Sequence, residues 1–291
     1  MNTNKKQTWL PVILTLILII GMIFGYKLRE DMGDFTPDFL KSSEAHLLSD
    51  ALNLIEKKYV DSLKKDSIEP RALSNFLKEL DPYSTFISAS SLPNQPTNHG
   101  IDSAFLLQPA TGYIRIRHFS PTTYPFFMEK IETLNKAGMS QMILDLRDNK
   151  EGAIEEAVNI ADEYIEADKI IATVKSKNLP DKVYAAQRPG QFEKGKMVVL
   201  INEKTAGAAE LLAAALQDWK RAFLVGKQST GKALIQESFA LKNGSTLLLS
   251  VARFYTPLGR CLEKPVAGGL QPDMTVSDEE AIQQSLEWLK R

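Results

Sequence analysis

The sequence has little of the chemistry that holds disulfide-rich or metal-binding domains together. Its 291 residues include a single cysteine, Cys261, so an intramolecular disulfide is excluded and the fold must be stabilised by packing. The three histidines, His46, His99 and His118, lie far apart and show no metal-ligand spacing. We therefore expect neither a metal site nor a cofactor.

The sequence also lacks an excess of charge of either sign. It has 35 Lys and Arg residues and 36 Asp and Glu residues, and the basic residues are scattered along the chain. Because nucleic-acid-binding domains usually carry a basic patch or stripe, we expect no nucleic-acid partner. A hydrophobic content of 44% and a charged content of 24% are typical of a globular protein with one or two packed cores.

One long uncharged and mostly apolar run extends from Trp9 to Tyr26. At a rise of about 1.5 Å per residue it would form a helix of roughly 27 Å, close to the hydrocarbon thickness of a bilayer. No small-residue cleavage site ends the run, which favours a retained signal anchor over a cleaved signal peptide. Because Lys5 and Lys6 precede it, residues 1–8 are predicted to be a cytoplasmic leader. Everything after Arg29 is predicted to be extracytoplasmic, on the periplasmic side in a Gram-negative cell.

The remaining chain divides by pattern into a helical neck, a linker and a core. Periodic apolar residues predict two short helices, 45–59 and 72–80, within an N-terminal region of residues 30–87. Residues 88–111 begin with a stretch rich in Ser, Pro and Asn and are predicted to be an irregular linker. In residues 112–291 strand-like and helical runs alternate, which predicts an α/β core with helices packed on a sheet. The predicted strands are 113–117, 142–146, 197–201, 222–225 and 246–255, and the predicted helices are 124–137, 154–165 and 208–219.

The glycine-rich segment from Gly226 to Ala233 resembles two motifs without completing either. It nearly matches the phosphate-binding loop G-x-x-x-x-G-K-[ST], but Ala233 lacks the hydroxyl that would hold Mg²⁺. Ser229 and Lys232 also fit the S-x-x-K pair of penicillin-binding proteins, yet Gly231 interrupts the helix that this pair requires, and no S-D-N or K-T-G follows. Neither nucleotide binding nor penicillin binding is therefore predicted.

Six blocks resemble, in the same order, segments of the tail-specific (C-terminal processing) serine proteases. Each block alone is a weak signal, but together they extend over about two thirds of the chain, which makes the resemblance specific. The blocks are LDPYS (80–84), LDLRDNKEG (144–152), VLINEKTAGAAE (199–210), GKQSTGKALIQ (226–236), ARFYTPLGR (252–260) and QPD (271–273).

The resemblance implies a crotonase-like α/β core and a serine–lysine site. In such a site a neutral lysine takes the proton of a serine that attacks a peptide carbonyl, and backbone N–H groups hold the oxyanion. It assigns the base to Lys232, its orienting amide to Gln236, one oxyanion N–H to Ala208 and the oxyanion turn to Gly152. The position of the nucleophilic serine is held by Gly207, which has no side chain with which to attack.

Other departures from the family accompany this glycine. Glu151 replaces the first glycine of the oxyanion turn, so a carboxylate would oppose a developing negative charge. Ala209 replaces a second serine, whereas Asp218 matches an acidic position of the family. Family members usually carry a PDZ domain in the part matched here by Ser84 to Gly112. That segment is far shorter than a small domain of about a hundred residues, so we expect the PDZ domain to be absent.

Three hypotheses on function remain. The first is a membrane-anchored pseudoprotease that binds extended peptides or a partner protein without cutting them. The second is an active serine-type endopeptidase with a non-standard nucleophile, for which Thr205 and Ser229 are the candidates near Lys232. The third is a structural interaction domain in which Lys232 is an ordinary solvated or ion-paired lysine. In all three, Asp145 and Arg147 are interpreted as a structural ion pair. Peptide binding separates the first hypothesis from the third, and cleavage separates the second from both.

Overall fold

The computed structural model describes residues 46–61, 65–91, 99–264 and 266–291. The predicted leader and anchor, residues 1–26, lie outside this part of the chain. Among the described residues, no helix is both long enough and apolar enough to cross a membrane. The chain divides into two compact units, residues 1–69 and 70–291.

Both helices expected in the N-terminal region are present. They are α1 (His46–Lys58) and α2 (Lys65–Lys78). Pro70, expected to precede the second helix, lies inside α2, where its missing N–H removes one hydrogen bond to the preceding turn. The prediction therefore located the helix but placed its start too late.

A six-stranded sheet forms the centre of the second unit. Its strands are β2 (Ile101–Gln108), β3 (Thr111–Ile116), β4 (Gln141–Asp145), β7 (Met197–Ile201), β8 (Phe223–Gly226) and β11 (Met274–Thr275). They are ordered β11-β8-β7-β4-β3-β2, and all neighbours are parallel except the β2–β3 pair. All five residues of β7 are buried, as expected for a parallel strand covered on both faces.

Helices cover this sheet on both faces. They are α3 (Thr123–Lys136), α4 (Ile154–Asp162), α5 (Ala208–Asp218) and α6 (Ala281–Leu289). Successive strand residues point to opposite faces, so Met142 and Leu144 belong to one core with α3, α4 and α5, whereas Ile143 belongs to a smaller core with α6. Residues 208–216 of α5 are all buried, and the alanines among them let the helix pack closely against its neighbours. The start of α5 is thereby held firmly in place.

A second, antiparallel sheet surrounds the long strand β10. Its strands are β1 (Thr85–Ile87), β5 (Ile170–Ser176), β6 (Lys182–Ala185), β9 (Leu234–Ala240) and β10 (Thr246–Tyr255). Along one edge of β10 lies β9, and the opposite edge pairs with β1 near one end and with β5 near the other. In the described chain β9 has no strand on its second edge.

The predicted α/β core is confirmed, but the prediction for residues 88–111 is wrong in part. Residues 101–108 form strand β2, which pairs with β3 instead of being irregular. Its sequence, IDSAFLLQ, shows no strict alternation because most of its side chains are only partly buried. Without that alternation the pattern gives no strand signal. The same reason explains why β5, β6 and β9 were not predicted.

Candidate active site

A cleft of about 360 Å³ lies where the loop after β4, the start of α5 and strand β9 meet. All of the residues that the sequence assigned to the site line it: Gly152, Gly207, Ala208, Lys232 and Gln236. The fold therefore brings together three segments that are far apart along the chain. The family resemblance predicted this grouping, which residue spacing alone does not give.

Gly207 is the residue that caps the N-terminus of α5. Its φ of 60° and ψ of −117° are values that residues with side chains rarely adopt. A Cβ atom built on Gly207 would meet no atom within 4 Å. The position therefore has room for a side chain, although a side chain there would strain the backbone. Gly207, to which the family resemblance assigns the nucleophile position, thus carries no side-chain atoms.

Two backbone segments beside Gly207 correspond to the predicted oxyanion site. The first N–H groups of a helix have no partner within the helix, and in the described chain no acceptor lies against the N–H of Ala208. Gly152 has a φ of 138°, and a Cβ there would approach Phe119 to within 2.5 Å, so this turn requires glycine. Glu151, by contrast, has no positive φ, so the backbone accepts its side chain.

Lys232 lies in the cleft with its amine held by an amide. Its Nζ donates to Oε1 of Gln236 at 2.6 Å, and the Nε2 of Gln236 donates to the backbone carbonyl of Tyr83 at 2.8 Å. The Nζ atom also lies 5.0 Å from the centre of the Tyr83 ring. Burial lowers the pKa of Lys232, against the opposing effect of Glu151 and two other carboxylates. This is the arrangement that a lysine base needs.

The segment LDPYS supplies the support for Gln236, a role that the sequence did not reveal. The Asp81 carboxylate accepts hydrogen bonds from the N–H groups of Tyr83 and Ser84, each at 2.7 Å, and from the Ser84 hydroxyl at 2.6 Å. Burial of Asp81 opposes its ionisation, but these hydrogen bonds outweigh burial and lower its pKa. An aspartate that bonds the backbone two and three residues later is a turn signal that could have been recognised. The turn fixes the Tyr83 carbonyl where Gln236 needs it.

Glu210 connects the two halves of the site and was also missed. Its buried carboxylate accepts hydrogen bonds from the N–H groups of Gly207 (3.0 Å), Gly231 (2.6 Å) and Lys232 (2.8 Å), and from the Ser229 hydroxyl. A single oxygen, Oε2, accepts from both Gly207 and Lys232, so these two backbone nitrogens are neighbours. Burial raises the pKa of Glu210, and the four hydrogen bonds counteract that effect. The spacing from Gly207 to Glu210 is that of a capping box, which was the available sequence signal.

Neither candidate for an alternative nucleophile is available for attack. The Thr205 hydroxyl is fully buried, donates to the carbonyl of Leu146 at 2.9 Å and accepts from the N–H of Asn202 at 3.0 Å. The Ser229 hydroxyl donates to Glu210 and accepts from the N–H of Leu270 at 2.7 Å. Neither residue lines the cleft. Both hydroxyls hold the site together.

The backbone conformation of residues 226–233 excludes both the phosphate-binding loop and the S-x-x-K motif. Residues 228–233 are not helical and lead into strand β9. A phosphate-binding loop continues into a helix whose N-terminus faces the phosphates, and the S-x-x-K pair needs its serine and lysine on one helix. The segment from Gly226 to Ala233 satisfies neither requirement.

Two acidic residues named from the sequence stabilise structure away from the cleft. Arg147 forms an ion pair with the fully buried Asp145 at 2.7 Å, as expected, and the Tyr113 hydroxyl donates to the same carboxylate at 2.7 Å. Asp218 bonds Arg260 and accepts from the N–H of Leu258 at 2.9 Å. Asp218 therefore ties the end of α5 to the turn after β10.

Lys232→Met is expected to raise the melting temperature by a few degrees at pH 7 and to lose this advantage near pH 10.5. Because burial lowers the folded-state pKa of Lys232, folding below that pKa must desolvate a charge. The penalty is present at low pH and disappears as pH rises from the folded pKa to the unfolded value of about 10.4. Thermal unfolding from pH 6 to 10.5 measures the difference. The control is Lys150→Met, at an exposed lysine of the same cleft, and a difference independent of pH would contradict the burial of Lys232.

Comparison with known proteins identifies related sequences. The chain is 36% identical over 168 residues to a carboxyl-terminal-processing protease of Picosynechococcus, covering 58% of this chain and 39% of the relative. It is 33% identical over 180 residues to the chloroplastic C-terminal processing peptidase of Tetradesmus obliquus, covering 62% and 38%. It is 36% identical over 163 residues to the processing protease CtpA of Bacillus subtilis, covering 56% and 34%. The chain thus spans less than two fifths of the length of these relatives.

Solved structures share the fold. The photosystem II D1 C-terminal processing protease superposes with a TM-score of 0.52 and 27% identity, over 69% of this chain and 51% of that one. A lipoprotein from Streptococcus agalactiae superposes with a TM-score of 0.61 over 83% and 88% of the two chains, and at 18% identity it shows the fold alone. The sequence model of "Peptidase family S41" matches residues 110–276, more than half of the chain. The cleft and its lysine lie inside the matched region, and the chain therefore belongs to peptidase family S41, with the carboxyl-terminal-processing proteases among its relatives.

Proposed function

We propose that this chain is a pseudoprotease, a member of the peptidase family that binds extended polypeptide in the cleft beside β9 without cleaving it. The observation that carries the proposal is Gly207 at the position of the nucleophile. No Ser, Thr or Cys occurs among the described residues that line the cleft. Loss of the nucleophile from a comparable triad lowers turnover on the order of a million-fold.

Peptide binding is supported by the second edge of β9, which carries no strand in the described chain. An extended peptide can add to such an edge through backbone hydrogen bonds, while pockets beside it accept alternate side chains. The cleft is lined by the apolar residues Leu234, Ile235, Leu248 and Phe254, of which Ile235 and Leu248 are partly exposed and could contact those side chains. The ligand class that fits is therefore a polypeptide in extended conformation with apolar side chains.

The names of the relatives suggest which part of a polypeptide the cleft binds. The similar proteins are called carboxyl-terminal-processing proteases, so we propose the C-terminal segment of a protein as the ligand. We also propose that no PDZ domain assists here, because the chain between β1 and β3 is far shorter than such a domain. Recognition would then depend on the cleft itself.

The proposed cellular setting follows from the N-terminal sequence. Residues 9–26 form a signal anchor, residues 30–87 a helical neck, and the crotonase-like protease domain is extracytoplasmic. The apolar run from Trp9 to Tyr26 and the lysines that precede it support this proposal. A protein partner on the same side of the membrane would present its C-terminal segment to the cleft.

The test measures binding and cleavage of the same peptides. Fluorescein-labelled ten-residue peptides of extended, apolar sequence, each with a free carboxylate or a C-terminal amide, are titrated with the full chain by fluorescence polarisation. Mass spectrometry of the same samples detects cleavage. We expect saturable binding, tighter for the free carboxylate, and intact peptides. Shortened peptides would show an active enzyme, and no binding would favour a structural interaction domain.

Two matched substitutions locate the binding. Ile235→Asp places a charge on the part of β9 that lines the cleft and is expected to weaken binding at least about tenfold, or about 1.4 kcal/mol. Val183→Asp lies on β6 of the same sheet, is 55% exposed and does not line the cleft, so it should change nothing. Equal effects of both substitutions would contradict binding beside β9.

A further inference from the structure

One nucleophile in the cleft is not used by the proposed function: the amine of Lys232. We propose that Lys232 captures ligands bearing an aldehyde, in particular extended peptides that end in one, as a reversible Schiff base. The inference rests on the proposed peptide cleft, because the peptide part of the ligand would bind there. It adds a covalent step that neither proteolysis nor simple peptide binding requires.

The hydrogen bonding of the amine leaves it free to react. Nζ donates one hydrogen bond to Gln236, and in the described chain it has no ion pair with a carboxylate. Gln236 is fixed in turn by the Tyr83 carbonyl. An amide oxygen accepts a hydrogen bond from a neutral amine as well as from an ammonium group, so the lone pair of the neutral amine remains available.

In the described chain, no carboxylate near Lys232 forms a direct ion pair with its amine. Glu151, Asp81 and Glu210 each favour the ammonium form, and burial opposes them with the larger effect, so the pKa is lowered. Asp81 is occupied by the turn at Tyr83, and Glu210 accepts four other hydrogen bonds. A larger fraction of this amine is therefore neutral at pH 7 than of an exposed lysine.

Room for a carbonyl group lies in the cleft that Lys232 lines together with Gly207. The backbone nitrogens of Gly207 and Lys232 share one oxygen of Glu210, so the two residues are neighbours. Apart from Gly207 itself and its two chain neighbours, no atom lies within 4 Å of a Cβ built at Gly207. The N–H of Ala208, which has no acceptor in the described chain, is available to a carbonyl oxygen bound there. In a serine enzyme the hydroxyl would occupy this space and react first.

Formation of the Schiff base needs no oxidant or reductant, and its only by-product is water. Nζ adds to the aldehyde carbon, and one amine proton moves to the carbonyl oxygen, which gives a carbinolamine. The hydroxyl then leaves with the second amine proton as water, and the C=N bond forms. Addition of water reverses the sequence and releases the ligand. A peptide amide cannot follow this route because its nitrogen would have to leave instead of water.

The experiment traps the Schiff base by reduction. The full chain is incubated at pH 7 with a tripeptide aldehyde of apolar side chains and sodium cyanoborohydride, and the secondary amines that form are located by peptide mass spectrometry. We expect Lys232 to be labelled at least about fivefold faster than any other described lysine, because its amine is less often protonated. Lys232→Arg should remove this label. Lys242→Arg, at an exposed lysine that does not line the cleft, should leave it unchanged.

The outcomes separate this inference from the function on which it rests. Labelling spread evenly over exposed lysines, or stronger at Lys150 than at Lys232, would overturn the inference. If the ten-residue peptides bind but Lys232 is not labelled, covalent capture is wrong and peptide binding stands. If a small aldehyde such as propanal labels Lys232 selectively while no peptide binds, the reactive lysine is confirmed and the peptide cleft is wrong.

Discussion

Gly207→Ser is expected to give a chain that hydrolyses unfolded casein at least about a thousandfold faster than the unmodified chain. The residues that we propose as the other parts of a serine–lysine site are suitably arranged, since Lys232 is held by Gln236 and the Ala208 N–H has no acceptor in the described chain. The Cβ of the new side chain would meet no atom within 4 Å beyond its own residue and its two chain neighbours. Loss of a triad nucleophile costs on the order of a million-fold, so a thousandfold return is a partial recovery.

Two features should keep the activity of Gly207→Ser below that of an intact serine–lysine protease. The φ of 60° at Gly207 would strain a serine by about 1–3 kcal/mol. The Glu151 carboxylate lines the same cleft and would oppose the oxyanion. Gly207→Ser combined with Glu151→Gly is therefore expected to be more active than Gly207→Ser alone.

The controls separate the hydroxyl from the backbone change. Gly207→Ala carries the same strain without a hydroxyl and should be inactive. Gly207→Ser with Lys232→Ala should also be inactive, because the serine loses its base. A folded Gly207→Ser chain without activity would contradict the claim that the rest of the site is intact. Activity in Gly207→Ala would show that the measured hydrolysis does not come from this site.

Glu210→Ala is expected to destabilise the fold by about 4 kcal/mol or more. The substitution leaves two buried N–H groups, one partly buried N–H group and the buried Ser229 hydroxyl without their acceptor, and each unsatisfied buried group costs about 1–3 kcal/mol. Glu210→Gln keeps the shape and part of the acceptor capacity, so a smaller loss of about 2 kcal/mol is expected. Urea denaturation of the three chains gives the free energies of unfolding.

The matched control for Glu210 is Glu237, which lies on β9, lines the cleft and is exposed. Glu237→Gln should change the free energy of unfolding by less than about 0.5 kcal/mol, the usual range for surface positions. Glu210→Gln should also reduce the activity regained by Gly207→Ser, because Glu210 holds Gly207 and Lys232 against each other. Equal stabilities of the Glu210 and Glu237 variants would contradict this positioning role.

The sequence predicted the buried elements better than the exposed ones. Strand β7 was predicted at its observed bounds because a run of five apolar residues, all of them buried in the structure, is typical of a buried strand. Strands β2 and β9 were missed because they are partly exposed and mix polar with apolar residues. Their pairing depends on β3 and β10, which are partners that no local pattern reveals.

The same division applies to the site. Roles could be predicted for positions such as Gly207 and Lys232 because a family motif specifies residue types, and the structure places both residues in one cleft. The role of the Tyr83 carbonyl could not, since every residue has a backbone carbonyl and only the fold decides which one faces Gln236. Glu210 was visible as a capping residue, but its contacts with Gly231 and Lys232 join segments that the sequence keeps apart.

The claim that this chain binds polypeptide without cutting it is tested most directly by incubating the full, unmodified chain with unfolded casein and analysing the products by mass spectrometry. The Lys232→Ala chain is treated in parallel. The account predicts intact casein and indistinguishable products from the two chains, because the cleft holds no nucleophilic hydroxyl or thiol among its described residues. Casein fragments produced by the unmodified chain and missing with Lys232→Ala would contradict it, since they would show a working nucleophile that depends on Lys232.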